Sequence, residues 1–465
     1  MLKRLKASTV VWSWVYNGLR LASGVILLPL VLHKLPTPEL GMYYLLMSQV
    51  ALVPLVDFGF GPSIGRFVGY AMGGAEKLQA HGMAGPSKSK APNYDLVWEL
   101  LTASRTLYRY LTIALLVIVG TMGTLAVEVR ANETGSPTLT RLAWAATLVS
   151  TLYDIYAGYW SNFVQSMNQV LVGLRIGLVA YVLRLTVIAV LLVGGAGLLS
   201  MPLGALVGSV VGRSWARAKC LQLLAGNPLP EKTDPKKILG ILWPNSWRTG
   251  VLVVAGYLTA NGNTQICSYV LGLRATAEYG LSVQLIGVVA GMAGVWTLVK
   301  WPLAGQYLAR HDYQGLRQML QPRVWLQYLS FLSLAIGLVA CGPYLLKWFG
   351  SGKQMLPVNW LCLMVLDSFL LMQFSFWTTL ILAQNRLPSL WPTVASNVLS
   401  LLLSLTLVNF TSLGTGALVL GPLIAGCVFN YWYWPPYGAR SVGTSLFRFL
   451  FSHGDSTRTQ SVVAG

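Results

Sequence analysis

Charge is the scarcest thing in this sequence. Asp, Glu, Lys and Arg together make up 10% of its 465 residues, against about 25% in soluble globular chains. A water-facing surface for a chain of this length cannot be built from so few ionised groups. Acids are rarer still, with 14 Asp and Glu against 33 Lys and Arg. No stretch is both long and polar enough to form a separate soluble domain. The four histidines (His33, His81, His311, His453) are scattered, so no metal site and no cofactor is expected. The five cysteines (Cys220, Cys267, Cys341, Cys362, Cys427) lie in or beside apolar runs. Their spacing fits neither a disulfide framework nor a zinc site, which leaves packing roles. No phosphate-binding loop, His-Glu-x-x-His or Gly-x-Ser-x-Gly motif is present. The first external loop holds a single acid, Glu39. These absences argue against an enzyme, in particular a membrane polymerase or glycosyltransferase with clustered external carboxylates.

What the sequence has in abundance is apolar length. Hydrophobic residues make up 55% of the chain and the mean hydropathy is +0.59. Runs long enough to cross a bilayer, at about 20 residues each, fall near 9–33, 41–71, 107–127, 141–166, 174–196 and 198–219. A second set falls near 239–271, 278–305, 324–347, 356–384, 389–410 and 414–436. The pattern predicts an all-α polytopic membrane protein of about twelve transmembrane helices in two six-helix halves. The first run follows Met1–Lys6, contains Arg20 and continues to Leu32. It reads as a retained helix rather than a cleaved signal. A polar, proline-containing connector divides the sets. The expected organisation is a first half over 1–222, a linker over 223–237, a second half over 238–440 and a tail over 441–465.

The formal charge of +19 follows from orientation. With the N-terminus inside, the inner segments hold 22 of the 33 basic residues, the outer segments 6 and the spans 5. Loops rich in Lys and Arg stay cytoplasmic, so both termini are expected inside and no nucleic-acid partner is expected. The halves also echo each other. Thr37-Pro38-Glu39-Leu40-Gly41 opens the second helix and Thr276-Ala277-Glu278-Tyr279-Gly280 the eighth. Gly204-Ala205-Leu206-Val207 recurs as Gly416-Ala417-Leu418-Val419. In the first pair, Thr is expected to cap the helix and Glu to meet the positive end of its dipole. Repeats of this orientation place substrate sites between halves near the midplane.

Ionisable groups inside spans point to function, because each costs roughly 2.5–3.5 kcal/mol at the bilayer centre on insertion scales. Arg20 shares a face of the first span with Ser13, Asn17 and Gly24. Arg248 shares a face of the seventh with Asn245, Gly256, Thr259 and Asn263. Lys300 and Arg66 lie nearer the cytoplasmic ends, where snorkelling competes with a cavity role. Arg184 reads as the partner of an acid. The buried acids are Asp57, Asp154 and Asp367, with Asp154 heading a stripe of Gly158, Ser161, Gln165 and Asn168. Each acid pairs with a base or carries a coupling proton. Guanidinium and ammonium groups hold phosphate through charge-assisted hydrogen bonds. Arg20, Arg248, Lys300 and Arg66, with Asn17 and Asn263, are therefore the candidate substrate contacts.

The stretch Pro38-Glu39-Leu40-Gly41-Met42-Tyr43-Tyr44, followed by Asp57-Phe58-Gly59-Phe60-Gly61-Pro62-Ser63-Ile64-Gly65-Arg66, resembles the second helix of polysaccharide repeat-unit (O-antigen-type) flippases. Ala277-Glu278-Tyr279-Gly280-Leu281 looks like the matching element of the second half. These flippases belong to the multidrug/oligosaccharidyl-lipid/polysaccharide exporter superfamily. The resemblance implies a MATE-like fold, with its halves around a central cavity. It implies translocation of undecaprenyl-pyrophosphate-linked oligosaccharide across the cytoplasmic (inner) membrane by alternating access, for lipopolysaccharide-type polysaccharide biosynthesis. Implied partners are the lipid-linked oligosaccharide, membrane lipids, and a polysaccharide polymerase with its glycosyltransferases. Multidrug members of the superfamily commonly carry an acid in the first helix, where this chain has Arg20. A cation-coupled drug exporter is the alternative. The long cytoplasmic segment near 73–90 has no assigned role.

Overall fold

The computed structural model describes residues 9–75, 78, 91–227, 235–298, 300–301, 304, 307–308, 312–348, 352–384 and 388–451. All of its regular elements are helical. They are α1 (Thr9–Lys34), α2 (Thr37–Val50), α3 (Val53–Asp57), α4 (Phe60–Met72), α5 (Tyr94–Ala131), α6 (Pro137–Tyr156), α7 (Tyr159–Ser166), α8 (Val170–Val193) and α9 (Ser200–Leu224). Then come α10 (Pro235–Leu298), α11 (Tyr313–Trp348), α12 (Val358–Leu382), α13 (Leu390–Phe410), α14 (Ala417–Val428), α15 (Asn430–Ser441) and α16 (Leu446–Phe451).

These pieces line up as twelve rods among the described residues, close to the twelve apolar runs. α2, α3 and α4 make one broken rod, α6 and α7 another, and α14 and α15 a third bent by 41°. α10 is two rods divided at Gly272, whose φ of 86° and ψ of 179° only glycine adopts readily. Among the described residues, seven helices are individually long and apolar enough to cross a membrane, or eight with the bent α14–α15 pair. Some of the others carry the charges, such as Asp154 in α6 and Arg213 and Arg217 in α9. The outer rods turn apolar side chains outward, for example Leu125 of α5 and Ile336 of α11. That is the surface lipid requires once every backbone group is bonded inside a helix.

One apolar core is built almost wholly from the first six rods. Two more belong to the last six. A fourth takes residues from both sets and lies where they cross. The glycines of the echoed motif make that crossing. A methyl group added to Gly41 of α2 would run into the Leu273 carbonyl oxygen, and one added to Gly280 would run into the Tyr44 ring. Each repeat thus supplies the hydrogen-sized residue that lets α2 and the second arm of α10 (273–298) approach closely. The Tyr44 hydroxyl donates to Gln284 Oε1 at 2.6 Å across the same contact.

The capping role expected of the motif's threonines is not what forms. α2 is preceded by Pro36, with no side-chain cap. The second arm of α10 begins three residues before Thr276, whose hydroxyl donates back to the Gly272 carbonyl at 2.8 Å. Its free ends are capped from the other half. Glu133 Oε2 accepts from the Leu273 N–H at 2.8 Å, and Arg130 Nη2 donates to the Tyr269 carbonyl at 2.6 Å. The two side chains also form an ion pair. A carboxylate thus meets the start of one rod and a guanidinium the end of the previous one, as orphaned helix termini favour. In the reciprocal direction, Lys353 Nζ reaches Thr37 Oγ1 at 3.4 Å and lies in the field of Glu39. The two halves are therefore clasped twice at the ends where α2 and the second arm begin.

Candidate functional site

The acids sort by environment. Asp57 ends α3 just before Phe58 and Gly59, both at positive φ. Its carboxylate accepts from the Gly61 N–H at 3.1 Å and from the Tyr108 hydroxyl at 2.6 Å. It thereby caps the restarted helix α4. Asp154 pairs with Arg213 of α9 at 3.0 Å and accepts from Ser209 at 3.0 Å. Arg213 also donates to Ser161 Oγ at 2.6 Å. Asp367 of α12 accepts from the Tyr431 hydroxyl at 2.7 Å.

Three cavities lie among these groups. The first-half cavity is about 360 Å³ and is enclosed by α1, α6, α7, α8 and α9. Asp154, Ser161 and Gln165, members of the polar stripe expected on the fourth rod, line it together with Tyr16, Arg184 and Arg213. Three glycines on one face of α9, Gly204, Gly208 and Gly212, let that helix lie close against α8. The lining carries two arginines against one aspartate.

The second-half cavity is about 600 Å³, between both arms of α10, α12, α13, α14 and α15. Asn263 lines it, and its side-chain amide donates to the Leu418 carbonyl at 3.0 Å. Asp367 is its one ionisable carboxylate, and no Lys or Arg lines it among the described residues. Ser389, just before α13, and Thr393, Ser396, Asn397 and Ser400 of α13 line it at helical spacing. The two halves thus hold cavities of opposite charge. A third space of about 140 Å³ adjoins the first-half cavity, lined by first-half residues including Tyr43, Met47, Tyr181 and Arg184 and by Gln284 of the second arm of α10.

The acid partner that the sequence suggests for Arg184 does not form. Among the described residues its guanidinium has no carboxylate within ion-pair range and makes no hydrogen bond. The reason is that Asp154, which shares its cavity, is taken by Arg213. Arg213 itself reads from sequence as a cytoplasmic loop base, but α9 extends to Leu224 and carries it inside. The signal that would have found it is Ser209 and Arg213 one turn apart, facing an acid-headed polar stripe.

Of the other candidates, Arg20 and Asn17 sit on α1 and Arg248 on the first arm of α10. Their side chains lie outside the described residues. Arg66 is exposed on α4 and Lys300 is half-buried beyond the second arm. Neither lines any of the three cavities. Most of the segment near 73–90 also lies outside the described residues. The five cysteines are free, with Cys220 and Cys267 buried and the other three exposed.

No protein-family model matches the sequence, and no curated protein matches it. Solved structures do. A multidrug-resistance MATE-family transporter of the MOP superfamily in its inward-facing conformation aligns with a TM-score of 0.63 at 13% identity, covering 92% of this chain and 94% of that one. The chain has the fold of the MATE transporters. An outward-facing MATE structure aligns less closely, with a TM-score of 0.56 at 12% identity over 94% of both chains. A MOP-superfamily transporter from Pyrococcus furiosus, described as having a binding pocket of reverse polarity, gives 0.55 at 12% identity over 93% of both. The MATE fold, its apolar rods and its lipid-facing surface make this a multi-pass membrane protein.

Proposed function

We propose that the protein is a flippase that moves an undecaprenyl-pyrophosphate-linked oligosaccharide across the cytoplasmic membrane by alternating access. The observation that carries this reading is Arg184, a guanidinium inside a membrane-spanning rod with no carboxylate partner among the described residues. A membrane protein retains such a group where it meets a ligand or water. Arg213 stands in the same cavity, restrained by Asp154 and Ser161. Two guanidiniums suit the bidentate recognition of a pyrophosphate. The clasped ends of the halves and the greater likeness to an inward-facing structure support a resting state open toward the cytoplasm, where such a substrate is made.

The test is Arg184→Gln against Arg184→Lys, with transport of a lipid-linked oligosaccharide measured in proteoliposomes. Gln should abolish most transport while the protein still inserts, and Lys should retain part of it. Full transport by Arg184→Gln refutes the assignment. One observation favours a second reading. Asp367 faces the second-half cavity with no basic neighbour in its lining, and one structure of this fold is a MATE multidrug transporter in complex with a ligand (TM-score 0.60, 12% identity, covering 91% of this chain and 94% of that one). Drug resistance on expression that depends on Asp367 would support that exporter.

A further inference from the structure

Two of the cavities adjoin, and the third lies against the same helix. The first-half cavity and the small one share Tyr181 and Arg184. The small cavity is closed on its far side by Gln284. Gln284 stands on the same stretch of helix as Val283, Ile286 and Gly287, which line the second-half cavity. The second arm of α10 therefore borders both the small cavity, through Gln284, and the second-half cavity, through Val283, Ile286 and Gly287.

The two ends differ in chemistry. At the first end a ligand meets guanidiniums. At the second it meets hydroxyls, amides and tyrosines, and the one charge there, Asp367, repels anions. Serine and threonine in helices often bond back to their own backbone. Thr378 and Thr379 do so, to the Phe374 and Ser375 carbonyls. Ser368, Thr393 and Ser400 do not. Among the described residues their hydroxyls have no partner, while all three line the cavity. Each is both donor and acceptor. Neutral hydroxyls and amides, set among apolar walls in a space of small-molecule size, match an uncharged polyhydroxylated group.

We propose that the three cavities together make one bipartite binding trough. The phosphate end of an amphiphilic substrate is held at Arg184 and Arg213, and an uncharged sugar portion occupies the second-half cavity against Thr393 and Ser400. The small cavity beneath Tyr43 and Gln284 is the constriction between the two subsites. Its opening and closing accompanies movement of the halves, because Gln284 is bonded across them to Tyr44. The assignment rests on the flippase reading for the identity of the anion, and adds where the sugar goes.

The test compares two probes on the full-length protein in nanodiscs: a short polyprenyl pyrophosphate, and the same lipid carrying an uncharged disaccharide on its pyrophosphate. The glycosylated probe should bind at least tenfold more tightly. Thr393→Val with Ser400→Ala, a nearly isosteric pair, should remove most of that difference and leave the bare lipid unchanged. Arg184→Gln should weaken both probes. A thermal melt of each variant checks folding. Equal affinity for the two probes, or a difference that survives the Thr393→Val/Ser400→Ala change, overturns the sugar subsite while Arg184-dependent binding keeps the flippase reading. Failure of both probes to bind the unsubstituted protein overturns both.

Discussion

The clasp around Gly272 makes the sharpest prediction. Glu133→Ala leaves the Leu273 N–H, the first donor of a membrane-spanning rod, without its carboxylate. It also releases Arg130 from its ion pair. A hydrogen bond to a charged group contributes about 1.5–3 kcal/mol, and a carboxylate at a helix N-terminus about 0.3–1 kcal/mol. The Glu133 side chain is 37% exposed, so solvent screens part of this. About 1–2 kcal/mol is a reasonable sum. The contact joins α5 of the first half to α10 of the second, so it exists only while the halves meet on that side. Losing it should shift the balance toward the form open on the clasped side about 5–30-fold. The assay uses Leu40→Cys in an otherwise cysteine-free background. Leu40 is fully buried at the crossing, and a water-soluble maleimide reaches it only when the clasped side opens. Glu133→Ala should raise the labelling rate by that factor. An unchanged rate in folded protein would show that the clasp does not hold that side closed.

Other consequences can be checked directly. Gly41→Val places a branched side chain against the Leu273 carbonyl, so it should lower the melting temperature sharply; Gly69→Ala, with open space around it, should not. Asp154→Asn leaves Arg213 facing Ser161 without its counter-charge. It should destabilise the protein yet tighten binding of inorganic pyrophosphate, measured by calorimetry; weaker binding would contradict the anion site. Burial pushes the Lys353 ammonium below its ordinary pKa of 10.5, and the Glu39 carboxylate offsets this only in part. The folded protein thus holds that proton less tightly than the unfolded chain. Stability attributable to Lys353 should rise with pH through the window just below 10.5. Lys353→Met should remove that rise in thermal melts without lowering the melting temperature at pH 7.

The rods were legible in the sequence because apolar length is a local property. Nearly every one of the twelve runs coincides with a rod or a broken pair. The echo of Thr37–Gly41 in Thr276–Gly280 was legible too, and it marks equivalent places in the fold. Its purpose was not. A sequence shows Thr and Glu at a helix start and suggests a cap, whereas the glycine carries the role. Only the crossing of two rods far apart in the chain reveals what Gly41 and Gly280 would otherwise strike.

The site divides along the same line. That Asp154 heads a polar stripe could be read from helical spacing, and that Asp367 is a buried acid from its place inside an apolar run. Both acids do line cavities, one in each half. Which base pairs with which acid could not be read, because α6, α8 and α9 meet through packing rather than sequence proximity. That packing gives Asp154 to Arg213 and leaves Arg184 without an acid. Composition by itself determined that this chain lives in a bilayer, since scarce charge and long apolar runs permit little else. Tertiary contact alone decided where its charges are free to act, because an ion pair depends on distance in space.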